Sequence, residues 1–313
     1  MWDNDIEYWK IFLNNNIVPS VIFLILVLKE HSSVISLKPY EYWVKLIELT
    51  KTSVTSKKEI IHPNVDVGFL AFLVGVIDGD GYIQMRKKLN GYIEFNLVIT
   101  FNNRDMATFY YILSKLHFGI IARINSTTSK LVIYNFELKY ILVPLLLEHG
   151  LFFLTENRIN QYNWLLYTLE HNIKKWDLLP NSVPNYSPFI LQDPKFILQN
   201  IWYFSNWLVG FVVAEGSFFV QANKEISFSV SQKGNKVLIE SIHLMFKPSR
   251  AIYYSEKNKV YLVRMSSLRD IQKVINFFSF ENHYPLIGYK KDSYETWLKA
   301  LKESSRYKGL IFP

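Results

Sequence analysis

The sequence predicts an α+β fold in which two αββαββα units form a pseudo-two-fold pair. Three observations support it: a nine-residue segment occurs twice, the same strand and helix patterns follow each copy, and a proline-rich stretch separates the copies. The repeated segments are residues 73–81, LVGVIDGDG, and residues 208–216, LVGFVVAEG. One chain therefore carries two copies of one structural unit.

Each repeated segment is typical of a buried helix that ends in an acid. Small residues sit four apart in each copy: Gly75 with Gly79, and Gly210 with Ala214. This spacing places them on one helix face, where another backbone can approach closely. We therefore expect the two helices to pack on each other. Asp80 and Glu215 stand at equivalent places just before a glycine, where each helix is expected to end.

The patterns that follow each helix predict the same elements in the same order. In the first unit they predict a hairpin with a turn at Asn90-Gly91, a helix over 105–116, strands near 119–124 and 130–136, and helices over 138–149 and 155–169. In the second unit they predict strands over 217–223 and 225–232, a helix over 236–245, strands over 251–255 and 260–265, and helices over 268–278 and 290–302.

The domain organisation follows from these patterns. Residues 1–65 are expected to form a helical N-terminal extension, with helical patterns over 18–30 and 40–50. The first unit is expected over 66–170, a linker with four prolines over 171–204, and the second unit over 205–313.

Two carboxylates brought together by helix packing indicate a metal site. Like charges at short range are unfavourable and raise a pKa unless something neutralises them. A divalent cation with oxygen ligands does this, and carboxylates suit Mg²⁺ best. The alternative is a pair of packed helices whose acids are simply exposed to solvent at the helix ends. Two copies in equivalent contexts favour the metal site, with Asp80 and Glu215 as ligands.

Both segments resemble the motif of the LAGLIDADG homing endonucleases in its two-copy, single-chain form. The resemblance extends from Phe69 to the C-terminus and implies saddle-shaped antiparallel sheets that bind a long double-stranded DNA target. It also implies a double-strand break by phosphodiester hydrolysis that depends on Mg²⁺ or Mn²⁺. The carbonyls of Gly79 and Ala214 are expected to add metal ligands. The expected state is a monomer with internal pseudo-two-fold symmetry.

The same resemblance implies a basic residue in each active site. The second unit has Pro285-Leu-Ile-Gly-Tyr-Lys290, which matches the family pattern and makes Lys290 the expected charge stabiliser. In the first unit Asn157 stands where lysine is usual, and Arg158 comes one place later. Arginine differs from lysine in shape, so the symmetry of the two active sites is in question, and either residue is a candidate.

Alternation along the first two strands of each unit predicts an outward face for DNA. Its polar side chains suit base edges and phosphates, whereas an ordinary solvated face is the alternative. The candidates are Tyr82, Gln84, Arg86, Lys88, Glu94, Asn96, Val98, Thr100, Ser217, Phe219, Gln221, Asn223, Ser227, Ser229 and Ser231.

Composition agrees with a polyanionic partner. The formal net charge is +8, and the chain has no cysteine, which excludes disulfides and thiolate zinc sites. The apolar run 17–28 is too short to span a bilayer, and no cleavable signal peptide or membrane partner is expected. The resemblance to fungal intron-encoded members implies a mitochondrial location. An intron RNA maturase, with or without DNA cleavage, is the second function it implies, although RNA binding needs neither acid.

Overall fold

The computed structural model describes residues 65–189, 191–220 and 225–313. The predicted N-terminal helices and the strand positions Gln221 and Asn223 lie outside the described residues. Within them, two units of the same order follow each other, as the sequence patterns predict.

The first unit begins with helix α1, Val67–Asp80, whose first turn is capped by the carboxylate of Asp66. Strands β1, Gly81–Lys87, and β2, Ile93–Asn102, follow. Next come helix α2, Met106–Leu116, and strands β3, Ile120–Arg123, and β4, Thr128–Ile133. A helical segment then runs through α3, Asn135–Glu137, a π-helical stretch, Leu138–Leu142, and α4, Val143–Glu148. Helix α5, Glu156–Glu170, completes the unit.

The second unit follows helix α6, Pro194–Asn200, and repeats this order. Its elements are helix α7, Phe204–Glu215, strands β5, Gly216–Val220, and β6, Ile226–Lys233, and helix α8, Lys236–Phe246. Strands β7, Tyr253–Ser255, and β8, Val260–Met265, are followed by helix α9, Leu268–Ile275. A π-helical stretch, Asn276–Phe280, and helix α10, Gly288–Glu303, end it.

Each unit folds its strands into one antiparallel four-stranded sheet. The strand orders are β1-β2-β4-β3 and β5-β6-β8-β7, so the two sheets have the same topology. Gly81 pairs with Ile99 in the first sheet, and Gly216 pairs with Val230 in the second. Along β2 the residues that alternate with the predicted outward positions, Phe95, Leu97, Ile99 and Phe101, are all buried. The core of each unit therefore lies between its sheet and its helices.

The linker packs against the first unit. Ile93 donates a backbone hydrogen bond to the carbonyl of Lys174, and Trp176 donates one to the carbonyl of Gly91. Tyr186 and Phe189 are buried in the core. The proline-rich stretch therefore follows a fixed path along the first unit before α6 leads into α7. No single helix in the described ranges is long and apolar enough to cross a membrane; α6 and α7, bent by 116°, pass that test only as a pair.

Helices α1 and α7 touch through their backbones at the predicted small residues. A Cβ atom at Gly75 would lie 1.9 Å from the carbonyl oxygen of Trp207. A Cβ atom at Gly210 would lie 1.9 Å from the carbonyl oxygen of Phe72. Both distances are far below van der Waals contact, so only glycine fits either place. The predicted close packing of the two motif helices is confirmed.

We expect Gly75→Ala to lower the free energy of unfolding by about 3 kcal/mol or more, because the new methyl group forces the two helices apart. Gly210→Ala should behave alike. The control is Gly309→Ala, where an added Cβ meets nothing within 4 Å. It should change stability by no more than about 0.5 kcal/mol. Urea unfolding measures all three, and equal stabilities for Gly75→Ala and Gly309→Ala would contradict the packing argument.

Candidate active site

The two motif acids lie at the shared end of the packed helices. Asp80 is the last residue of α1 and Glu215 is the last residue of α7. A Cβ atom at Gly79 would lie 2.3 Å from the Cβ of Ala214 and 3.3 Å from the Cγ of Glu215. The close approach thus continues to the helix ends, and the two carboxylates are held beside each other.

Both acids are partly withdrawn from water, which favours their neutral forms. Burial raises the pKa of Asp80 to about 6, against the attraction of Lys290 and Arg158. Burial also raises the pKa of Glu215 to about 7, and repulsion from Asp80 adds to the shift. The Gln232 side chain donates a hydrogen bond to Glu215, which opposes it. The pair is therefore close to its titration range at neutral pH.

Lys290 brings a cation to the acid pair from the last helix of the second unit. Its ammonium donates a hydrogen bond to the carbonyl of Gly216, the residue after Glu215. Burial lowers the pKa of Lys290, while attraction to Asp105, Asp80 and Glu215 opposes that effect. Lys290 lies where the sequence pattern predicts a cation.

Arg158 brings the corresponding cation from the first unit. Its Nε donates to the carbonyl of Ile77, 3.1 Å away, and its Nη1 donates to Oε1 of Gln161 at the same distance. Burial lowers its pKa, and attraction to Asp78 and Asp80 opposes the shift. The side chain of Asn157 is instead exposed. The structure therefore brings Arg158, and not Asn157, to the first motif helix.

Asp78 is the motif acid that does not face the site. It is buried and accepts four hydrogen bonds, from the backbone N–H groups of Leu154 and Thr155, the Thr155 hydroxyl and the Trp207 indole. Burial raises the pKa of Asp78 to about 6, and all four donors oppose the shift because they favour the ionised carboxylate. This acid therefore ties α1 to α7 and to the start of α5.

The outward sheet faces are polar, but several of the residues predicted to contact DNA are almost inaccessible to solvent. Tyr82, Ser217 and Phe219 are exposed, and Gln84, Thr100, Ser229 and Ser231 are partly exposed. In contrast, Asn96 and Val98 are each 3% exposed and Ser227 is 2% exposed. Alternation alone assigned these three to the open face, but the structure buries them; they lie on β2 and β6, each of which has a neighbouring strand on both sides.

Arg86, Lys88 and Glu94 form an ion-pair cluster at the tip of the first hairpin. Arg86 donates two hydrogen bonds to Glu94, and Nζ of Lys88 lies 2.8 Å from the other Glu94 oxygen. The two cations lower the pKa of Glu94. The carboxylate therefore holds two exposed cations in fixed positions on the predicted face.

Four residues that the sequence patterns did not single out belong to this region. Lys130 pairs with Thr100 and Arg264 pairs with Ser229, so both extend the outward faces. Alternation along β4 and β8 could have identified them. Gln232 reaches the acid cluster by a hydrogen bond to Glu215, and Asp105 reaches it by attraction to Lys290. Local sequence patterns signal neither contact.

The donor set of the acid pair fits a hard divalent cation. The side chains at the helix ends offer carboxylate oxygens, which Mg²⁺ prefers. Within the described ranges, no group of three or more His, Cys, Asp and Glu side chains could hold a metal. A cation between Asp80 and Glu215 would therefore need further oxygens from carbonyls, water or a phosphate, as Mg²⁺ sites commonly use.

The raised pKa values predict a pH-dependent stability for the metal-free protein. A carboxyl group whose pKa is higher in the folded state stabilises the fold below its unfolded pKa, and this contribution is lost as pH rises through the folded pKa. For Asp80 the loss falls between about pH 4 and pH 6. In urea unfolding with EDTA at pH 8, Asp80→Asn should therefore be more stable than the wild type by about 1–2 kcal/mol, allowing for partial exposure.

The control for this prediction is the exposed acid Asp292 on α10. Asp292→Asn should show the same difference in the free energy of unfolding between pH 5 and pH 8 as the wild type. A pH dependence of stability in Asp80→Asn identical to that of the wild type would contradict the argument that burial disfavours the ionised form of Asp80.

The comparisons with known proteins agree with this arrangement. The family model described as LAGLIDADG endonuclease matches twice, over residues 73–167 and 208–301. The relative named probable intron-encoded endonuclease aI3, from Dictyostelium citrinum, is 30% identical over 233 residues, 72% of this chain and 91% of its own. The uncharacterized cox1 intron-2 37.2 kDa protein of Schizosaccharomyces pombe is 25% identical over 273 residues, 81% of this chain and 73% of its own.

Solved structures share the fold. The LAGLIDADG meganuclease I-AabMI bound to uncleaved DNA is similar over 74% of this chain and 89% of its own, with a TM-score of 0.55 and 19% identity. The meganuclease I-SmaMI bound to uncleaveable DNA is similar over 76% of this chain and 92% of its own, with a TM-score of 0.56 and 20% identity. The two matched motifs, the intron-encoded relatives and the fold together show that the chain belongs to the LAGLIDADG endonuclease family.

Proposed function

We propose that this chain is a site-specific homing endonuclease that makes a double-strand break in DNA by metal-dependent phosphodiester hydrolysis. One observation carries the proposal. The acids of the two motif helices lie side by side where the units meet, with Lys290 attracted to both acids and Arg158 to Asp80. Such a cluster suits a phosphate, because its acids can hold a metal and its cations can balance the phosphate charge.

The metal expected here is Mg²⁺ or Mn²⁺. When bound, it lowers the pKa of water and stabilises charge on the attacking and leaving oxygens of a phosphodiester. Asp80 and Glu215 would hold it, with the carbonyls of Gly79 and Ala214 as additional ligands. The solved structure of I-SmaMI with an uncleaved DNA target was obtained in the presence of calcium ions, another hard divalent cation. That agrees with an oxygen-rich site.

The remaining chemistry falls to the two cations. Lys290 and Arg158 would stabilise the negative charge that develops on the phosphate oxygens, an effect often worth about 2–4 kcal/mol for one positioned donor. Arg158 is held by Ile77 and Gln161, so its guanidinium is oriented before any ligand arrives. The mechanism needs no covalent nucleophile from the chain.

The outward sheet faces would bind the DNA duplex on either side of the acids. Arg86 and Lys88 supply exposed positive charge at one end of the first sheet, and Lys130 and Arg264 add to the faces. Contacts to phosphates position a protein on DNA, and contacts to base edges read its sequence. I-AabMI and I-SmaMI are bound to DNA in their structures, which supports a DNA partner for this fold.

Several further expectations belong to the same proposal. The chain would act as a monomer, since the pseudo-two-fold pair already supplies both acids. A mitochondrial location is supported by relatives from cox1 introns. The proposed domains are the extension 1–65, the two units 66–170 and 205–313, and the linker 171–204. Assistance to splicing of the host intron RNA is the second function, but the paired acids favour DNA cleavage.

The first test identifies the target and then removes the acids. Incubation of a randomised DNA library with the protein and Mg²⁺, followed by sequencing of the cut ends, should yield one long preferred site. On that site Asp80→Asn and Glu215→Gln should reduce double-strand cleavage by at least about 10³-fold, because metal binding needs both carboxylates. Their dissociation constants for the DNA should stay within a few-fold of the wild type.

The matched control is Glu295→Gln, an exposed acid on α10 that pairs with Lys291. It should cut at the wild-type rate. Cleavage by Asp80→Asn at the rate of this control would contradict the assignment of the active site.

A second test concerns sequence reading by Arg86. Arg86→Ala should weaken discrimination at one or two base pairs of the target by about 1–3 kcal/mol, since a bidentate base contact is lost. The control is Lys87→Ala on the same strand, because Lys87 faces away from that side and pairs with Asp177. Cleavage of a library of single-base variants measures both. A uniform loss of affinity across all variants would place Arg86 on a phosphate instead.

A further inference from the structure

The helices that carry the two cations lack caps from their own N-terminal residues. Helix α5 begins after Thr155, whose hydroxyl donates to Asp78 and makes no capping hydrogen bond to the helix. Helix α10 begins after Ile287, which has no polar side chain. The first N–H groups of a helix have no partner within the helix and need one from elsewhere. For both helices the partner comes from the other unit.

The two caps cross between the units. The N–H of Glu156, at the start of α5, donates to Oδ1 of Asn235 at 2.9 Å. The N–H of Tyr289, at the start of α10, donates to Oδ1 of Asp105 at 2.9 Å. Asn235 precedes α8 of the second unit, and Asp105 precedes α2 of the first unit. The capping residues thus stand at equivalent places, and each serves the helix of the opposite unit.

Each cap lies within two residues of a cation of the active site. Lys290 follows Tyr289 directly, and Arg158 comes two residues after Glu156. Both cations are the third residue of their helix. A cap that fixes the first turn therefore fixes the Cα position from which each cation extends toward the acids.

The turn before Lys290 is built around the Asp105 carboxylate. Gly288 has a φ of +57°, and a Cβ there would lie 2.3 Å from Oδ1 of Asp105 and 2.1 Å from Oγ1 of Thr108. The Thr108 hydroxyl donates to the same carboxylate oxygen at 2.6 Å. The Arg104 guanidinium lies 4.1 Å from the centre of the Tyr289 ring. Three side chains of the first unit thus hold the start of α10.

We propose that Asp105 and Asn235 are positioning residues for cleavage: each caps the last helix of the opposite unit and thereby places Lys290 or Arg158 beside the acids. The proposal rests on the proposed function for its catalytic consequence. The two caps differ in charge. Asp105 also attracts Lys290 directly, whereas Asn235 offers only a hydrogen-bond acceptor, so the two active sites are not equivalent.

The test is a set of paired variants. Asp105→Ala removes the cap, and Asp105→Asn keeps an oxygen acceptor at the same place. Single-turnover cleavage of the target site should slow by about 10- to 100-fold in Asp105→Ala, because a displacement of about 1 Å has this effect. Asp105→Asn should slow less. The dissociation constant for target DNA, measured with Ca²⁺, should stay within a few-fold of the wild type.

The decisive comparison repeats Asp105→Ala in a Lys290→Met background. If Asp105 acts through Lys290, removing the cap there should produce no further loss of rate, while the melting temperature should fall as in the wild-type background. Asn235→Ala should show the same dependence on Arg158, tested in Arg158→Met, with Asn235→Asp as the variant that keeps the acceptor.

The control cap is Ser267, which accepts from the N–H of Asp270 at the start of α9, a helix without site residues. Ser267→Ala should lower the melting temperature by a few degrees and leave the cleavage rate unchanged. An equal loss of rate from Asp105→Ala in both backgrounds, or none in either, would overturn the proposal.

Hydrogen exchange separates this proposal from the proposed function. If the wild type cuts no DNA in the library experiment, the proposed function fails. The cap is then judged from the Tyr289 amide, which should exchange faster in Asp105→Ala than in the wild type and nearly normally in Asp105→Asn. Unchanged exchange in Asp105→Ala would overturn the cap itself.

Discussion

The backbone contact between α1 and α7 determines where the two acids and the groups around them lie. Because Gly75 and Gly210 each lie against a carbonyl oxygen of the other helix, the relative position of the helices does not depend on flexible side chains. The two helices end together, so Asp80 and Glu215 are placed by backbone geometry. For the proposed function, in which the two acids would hold a metal ion beside a phosphate, such rigidity is an advantage, since charge stabilisation depends on groups that are already oriented.

The acid cluster is held in a state that costs stability. Burial raises the pKa of Asp80 and Glu215 and lowers that of Lys290 and Arg158, so for each group desolvation outweighs attraction to its neighbours. Sites of this kind are common where function needs charges that the fold alone does not favour. A metal ion and a phosphate would supply the missing opposite charges. Ligand binding and folding are therefore expected to reinforce each other.

The pseudo-symmetry holds for the backbone and fails for several side chains around the site. The sheet registers show that Phe101 and Gln232 occupy equivalent positions in the two sheets, because each comes two residues after the partner of the motif glycine. Gln232 reaches Glu215, whereas Phe101 is buried in the core. Asp105 and Asn235 likewise differ in charge at equivalent places. A single-chain protein can vary its two halves independently, which suits an asymmetric DNA target.

The sequence by itself determined the repeat, the helix and strand order and the acid pair, because each depends on residues close together along the chain. Periodicity placed small residues on one face of each motif helix, and the presence of two copies implied that the two helices pack on each other. Tertiary structure decided that Arg158 rather than Asn157 is placed toward Asp80, and that Asn96 and Val98 are covered on an otherwise open face. It also decided that each unit caps the helix of the other. These features rest on contacts between residues far apart in the chain, which local patterns do not encode.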